Sequence, residues 1–198
     1  QDYDVLLVVS SLDQRREDRC LQALSRRTIS GLLVMRTFSF KSETVERLRA
    51  SGRPVIEIGS PGPLFGFDRV HADYSQGMND LLAHLLGLGH ERFAFINGVA
   101  EPALGKDRLE VYHQTLKEGG VARQQALVIN CGSTTEDGYQ ATRILLEKKQ
   151  PPTAIIAIND LLALGVMRAI FDANLQIPED ISVASFDDLP MSRYLKPR

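Results

Sequence analysis

The sequence has little that would support covalent or metal chemistry. Its two cysteines, Cys20 and Cys131, stand far apart and form no metal-ligand spacing. They are expected to be small buried hydrophobes in a reducing compartment. The four histidines are His71, His84, His90 and His113. His84 and His90 straddle a helix end and cannot easily share a metal, so each reads as a polar or packing residue. No Gly-x-Ser-x-Gly elbow occurs, nor a phosphate-cradling Gly-x-x-x-x-Gly-Lys-Ser/Thr. Gly87-Leu-Gly89-His90 lacks the third glycine of a dinucleotide fingerprint, and it follows a helix where the fingerprint must follow a strand. No catalytic residue, metal ligand or cofactor is expected. The net charge of −2 gives no field to hold a polyanion. The densest basic stretch, Arg15, Arg16 and Arg19 with Arg26 and Arg27, is diluted by Asp13, Glu17 and Asp18 and reads as a solvated helix face. This chain is therefore not expected to bind nucleic acid directly. No apolar run approaches the roughly 20 residues that span a bilayer. Gln1-Asp2-Tyr3-Asp4 has no leader pattern, and the missing initial Met leaves the natural start outside the sequence. A cytoplasmic location is the expectation.

The sequence does contain a β-α rhythm. Across 198 residues, 43% apolar and 24% charged content is ordinary for a soluble globular protein. Residues 5–9 form an uninterrupted valine-rich run, the pattern of a strand buried on both faces. An amphipathic helix is expected over 13–27, a second buried strand over 31–35, a helix from Ser42 to a stop at Ser51-Gly52, and a strand over 54–58. Gly59-Ser-Pro-Gly-Pro-Leu-Phe-Gly66 then breaks the rhythm as a loop on the ligand side, or as a linker, and the two are compatible. Alternation resumes at Asp73. Met78, Leu81, Leu82, Leu85 and Leu88 make one helical stripe. Strands follow over 92–96, 127–130, 154–158 and 181–185, with helices over 108–118, from a Ser133–Glu136 capping box to about 148, and after Asn159-Asp160. The pattern implies parallel strands with right-handed crossovers, arranged as two α/β lobes over 1–72 and 73–198.

In open α/β sheets, ligands sit beyond the carboxyl ends of the strands. Those ends in the second lobe present Asn97, the segment 131–134, Asn159-Asp160 and Asp187-Asp188, with Arg108 at the start of the helix after Asn97. An arginine fork beside a carboxylate and an amide suits neighbouring sugar hydroxyls. Each residue also fits a plainer role. Arg108 fits an ordinary surface arginine, Asn159 a helix cap, and the two aspartates caps of their own turn.

Several blocks resemble one family. His71-Ala-Asp73-Tyr-Ser-Gln-Gly77, with His84-Leu85 and Leu88-Gly-His-Glu-Arg-Phe-Ala-Phe-Ile-Asn-Gly98, is similar to the central signature of lactose-repressor-type (LacI-type) transcriptional regulators. Arg108-Leu-Glu-Val-Tyr112 is similar to that family's Arg-x-x-Gly-Tyr segment, with Val111 in place of the glycine. Residues 152–165 resemble its Asn-Asp-x-x-Ala-x-Gly block, and 177–190 with Tyr194 and Pro197 resemble the segment before its last crossover. The resemblance implies a periplasmic-binding-protein-like fold, two flavodoxin-like parallel-sheet lobes closing on an effector, with the first lobe incomplete. It also implies effector contacts from Arg108, Asn159 and Asp187, usually to a sugar or related metabolite. Gly59, Ser60 and Asn97 are expected as further cleft-lining positions. The family's partners would be a small-molecule effector, a second copy in a homodimer, and operator DNA through an N-terminal headpiece that would precede this chain. The headpiece, the first strand and helix, and the final crossovers are expected to lie outside it.

The function implied is the effector-sensing core of a DNA-binding regulator. A periplasmic sugar-binding protein of a transport system would share the lobes and is the alternative. An α/β enzyme is a third reading, without a nucleophile–base or cofactor motif to support it.

Overall fold

The computed structural model describes residues 4–9, 13–25, 29–35, 41–59, 66–98 and 106–197. The chain divides into two compact units, Gln1–Ala72 and Asp73–Arg198.

In the first unit, β1 (Leu32–Met35), β2 (Val55–Ile58) and β3 (Asp68–Val70) form a parallel sheet in that order, with α1 (Gln14–Ser25) and α2 (Ser42–Ala50) between and before them. Leu21, Leu32, Val34, Val45, Leu48 and Val55 make a small core. Two sequence expectations fail here. Residues 5–9 are not a strand, and Val5, Leu7 and Val9 are 90%, 81% and 58% exposed. A valine-rich run becomes a strand only when a neighbour accepts its ladder of hydrogen bonds, and the sheet of the described residues gives this one no partner. β1 is buried on one face only, with Leu33 and Met35 exposed. β3 is a strand the sequence did not announce, because it is short and charged. Its Arg69 Nη2 lies 2.9 Å from Glu57 Oε2, across the register pair of β2 and β3, and this places an ion pair in the sheet.

The second unit holds four parallel strands in the order β5-β4-β6-β7: β4 (Phe93–Asn97), β5 (Ala126–Asn130), β6 (Ala154–Ala157) and β7 (Ser182–Ala184). Every residue of β4 and β6 is buried, as continuous apolar strands covered on both faces require. Phe93, Phe95, Ile96, Ile155 and Ile156 are fully enclosed. Side chains of this kind each contribute about 1.5–3 kcal/mol by leaving water. Helices α3 (Ser75–Gly87), α4 (Lys106–Glu118), α5 (Thr135–Leu146) and α6 (Asp160–Asp172) cover them. Val111 packs half-buried against the core without disturbing α4.

Local chemistry explains the helix boundaries. Leu88 does not extend the α3 stripe. It is the C-cap, 62% exposed, and Gly89 at φ +85° turns the chain away. The capping box at α5 is Thr134–Asp137, one residue later than Ser133–Glu136. The Asp137 N–H donates to Thr134 Oγ1 at 3.2 Å, and the Thr134 N–H donates to Asp137 Oδ2 at 2.9 Å. Helices α5 and α6 touch at glycines. A Cβ on Gly165 would lie 2.0 Å from the Thr135 carbonyl oxygen, and one on Gly138 would lie 2.3 Å from that of Leu162.

The chain leaves β4 towards β5 on one side and returns to β6 on the other. The carboxyl tips of β4 and β6 therefore flank a topological switch point, where open α/β sheets leave a crevice.

Candidate functional site

Each strand tip of the second unit delivers a polar group. Asn97 ends β4, is 1% exposed, and donates from Nδ2 to Asn130 Oδ1 at 2.9 Å on the register partner in β5. Its own Oδ1 is buried without a hydrogen-bond partner among the described residues. Beyond β6, Asn159 Oδ1 accepts the Leu162 N–H at 2.9 Å and caps α6.

Asp160, the first residue of α6, is 6% exposed and turns its carboxylate towards the segment after β7. It accepts the Ser185 hydroxyl, the Leu189 N–H at 2.7 Å and the Ser192 hydroxyl at 2.8 Å. Burial alone would raise this carboxyl, but the three donors outweigh it and hold it below the usual carboxylate range.

That segment carries Phe186, Asp187 and Asp188. Asp187 and Asp188 sit at φ +97° and +51°, backbone conformations that side chains other than glycine rarely adopt. Partial burial raises the Asp187 carboxyl, the like charge of Asp160 adds to this, and Arg108 opposes both. Arg108, in the first turn of α4, lays its guanidinium carbon 3.9 Å from the centre of the Tyr74 ring, a cation–π contact. Burial lowers the Arg108 guanidinium from its ordinary value, with Tyr74 and Asp187 working the other way. Tyr74 in turn meets Phe186 edge-on, with centroids 6.1 Å apart. A Cβ on Gly77 would make only an ordinary contact with the Phe186 ring, at 3.6 Å.

The tips thus assemble a cation, a carboxylate and two aromatic rings within one unit. Aromatic walls with a few fixed polar groups are what a small polar ligand requires. Arg108 and Asp187 come within electrostatic reach of each other. Asn159 stands on the same edge, committed through its oxygen to the helix cap. Gly59 follows β2 of the first unit at φ +126°, and its N–H donates to the Val70 carbonyl at 3.1 Å. Ser60 lies outside the described residues. The sequence pointed to neither Tyr74 nor Phe186, although each adjoins an aspartate, Asp73 and Asp187. Cys131 is half-buried, and burial, with Asp137, pushes its thiol up to about 11, which leaves it a poor nucleophile. Cys20 is likewise half-buried, so neither cysteine is fully enclosed. Among the described residues no cluster of His, Cys, Asp and Glu could hold a metal ion.

Two concavities adjoin these elements. One of about 1310 Å³ runs along α4 to the start of β5, lined by Leu109, Val111, Leu116 and Val121. A smaller one of about 220 Å³ lies beside Asp160, under Met167, Met191 and Leu195.

Residues 82–198 match the family model of the periplasmic binding protein-like domain. The chain belongs to that family, in its LacI-type branch. It is similar to catabolite control protein A of Priestia megaterium, 28% identical over 197 residues that cover 99% of this chain and 59% of that protein. It is also similar to the HTH-type transcriptional repressor PurR of Haemophilus influenzae, 26% identical over 100% of this chain and 58% of that protein. This LacI-type chain therefore spans less than two thirds of the length of either relative. A solved LacI family transcriptional regulator from Enterococcus faecium, with bound ribose, superposes with a TM-score of 0.79 at 29% identity, covering 90% of this chain and 66% of that one. The second relative is named as a transcriptional repressor and the superposed structure as a transcriptional regulator, which favours the sensor reading over the transport alternative. No helix among the described residues is long and apolar enough to cross a membrane.

Proposed function

We propose that the chain is the effector-sensing core of a LacI-type transcriptional regulator, that its effector is a sugar, and that it performs no catalysis. The observation that carries this is the Arg108–Tyr74–Phe186–Asp187 assembly at the carboxyl tips of the second unit. Asp187 accepts from ligand hydroxyls, Arg108 donates to neighbouring oxygens, and the amide nitrogen of Asn159 supplies a further donor. Tyr74 and Phe186 meet the apolar C–H face of a ring. Asn97, through its unpaired buried oxygen, accepts from a ligand or a bridging water.

In the whole protein the effector changes operator affinity by binding one state more tightly than another, because a ligand with equal affinity for both shifts nothing. The operator is held by a headpiece, the protein works as a homodimer, and it acts in the cytoplasm. D-ribose is the first probe, given the ribose-bound relative. A thermal-shift series of pentoses and hexoses should show one sugar that raises the melting temperature by mass action. Calorimetry with that sugar should then show the affinity of Asp187→Ala reduced by at least about tenfold, since a lost charged hydrogen bond costs about 1.5–3 kcal/mol. Unchanged affinity in Asp187→Ala, with the melting temperature retained, would remove Asp187 from the site.

A further inference from the structure

We infer that Asp160 is a positioning residue for the effector site: its carboxylate fixes the turn that presents Asp187. This rests on the reading that the strand tips hold the effector. The turn needs such a device. Two successive residues other than glycine, Asp187 and Asp188, are held at positive φ, and backbone of that kind persists only where the surroundings over-determine it. Asp160 clamps the turn from both sides. One of its oxygens, Oδ1, accepts the Ser185 hydroxyl, two residues before Asp187, while Oδ2 accepts the Leu189 N–H and the Ser192 hydroxyl after it.

The clamp is itself rigid. Asp160 is the first residue of α6, directly after the Asn159 cap, and α6 lies against α5 at glycine-to-backbone distance. Buried acceptors with three donors leave little freedom, because each donor released into the interior would lose its partner. Asparagine could not replace it. Its single side-chain oxygen accepts from at most two donors, so one serine hydroxyl would have to turn and accept from the amide N–H, and all three bonds would lose their charge-assisted strength. The same carboxylate places a negative charge near Asp187, so Asp160 sets both where that acceptor stands and how readily it ionises.

The test uses the full 198-residue chain with Asp160→Asn and Ser192→Ala, read by hydrogen exchange and by D-ribose calorimetry across pH. In Asp160→Asn, exchange at the Leu189 amide should rise by roughly tenfold or more while the core strands keep their protection. Ribose affinity should fall by about tenfold, as the competent turn becomes a minor population. The acid limb of its pH profile should move to lower pH, because a like charge near Asp187 is gone. Ser192→Ala keeps that charge, so it should weaken binding by only a few fold, on the order of one hydrogen bond, without moving the acid limb. Parent-like exchange at Leu189 together with parent-like affinity in Asp160→Asn would overturn the inference. If Asp160→Asn fails to fold, unchanged Leu189 exchange in Ser185→Ala/Ser192→Ala would overturn it instead. A parent chain that gives no heat with D-ribose would count against the sugar reading alone. The Leu189 exchange and an NMR titration of the Asp187 carboxyl would still decide the role of Asp160.

Discussion

His90 is fixed by two hydroxyls that belong to different strands. Its Nδ1 lies 3.0 Å from Thr153 Oγ1, and its Nε2 lies 3.0 Å from Ser182 Oγ. Because the Thr153 hydroxyl donates to the Arg92 carbonyl, it accepts from Nδ1–H, and in the neutral ring Nε2 then accepts from Ser182. The ring joins the amino ends of β4, β6 and β7. Burial lowers its proton affinity. The folded pKa lies below the unfolded value, so stability is full above about 6.5 and is lost as pH falls through the folded pKa. His113 is lowered too, by burial first and then by Arg123, and adds to the same slope. Urea denaturation between pH 7.5 and 5 should therefore show stability falling with acid, and His90→Gln should have a shallower fall than the parent. An equal slope in both would assign the acid sensitivity elsewhere.

At the scale of elements, the contact between α5 and α6 does the most to place the candidate site, because α6 begins with Asn159 and Asp160. Gly165 lets the helices meet backbone to backbone. Gly165→Ala should force them apart and destabilise by about 1–3 kcal/mol, the usual cost of overpacking. A thermal melt should record this as a fall of several degrees. Gly87→Ala, where a Cβ meets nothing within 4 Å, should melt like the parent. Elements of the second unit were legible because each carries one strong signal: four successive apolar residues in β4, a stripe with glycine stops in α3, and a Pro-Pro break before β6. Periodicity could not report pairing. Residues 5–9 have the composition of a strand and no strand neighbour among the described residues, whereas β3 has a neighbour and the composition of a turn. The capping box shifted by one residue because Ser133-Thr-Thr-Glu-Asp137 offers two registers, and hydrogen-bond geometry rather than residue type chooses between them.

Across the whole molecule, strand order converts sequence into a site. Arg108, Asn159 and Asp187 could be read as strand-tip residues, since tips follow from a β-α rhythm. The contacts of Tyr74 and Phe186 could not, because they join the start of α3 to the end of β7, more than a hundred residues apart in sequence. Asp160 looked like one half of a helix cap, and only the folded chain turns it towards Ser185, Leu189 and Ser192. The measurement that bears most directly on the account is an NMR titration of the isotope-labelled chain with D-ribose. Shifts concentrated at the Arg108 guanidinium, the Tyr74 and Phe186 rings and the Asp187 carboxyl are predicted. Shifts confined to the groove along α4, at Val111, His113 and Val121, or none at the strand tips at saturating ribose, would contradict it.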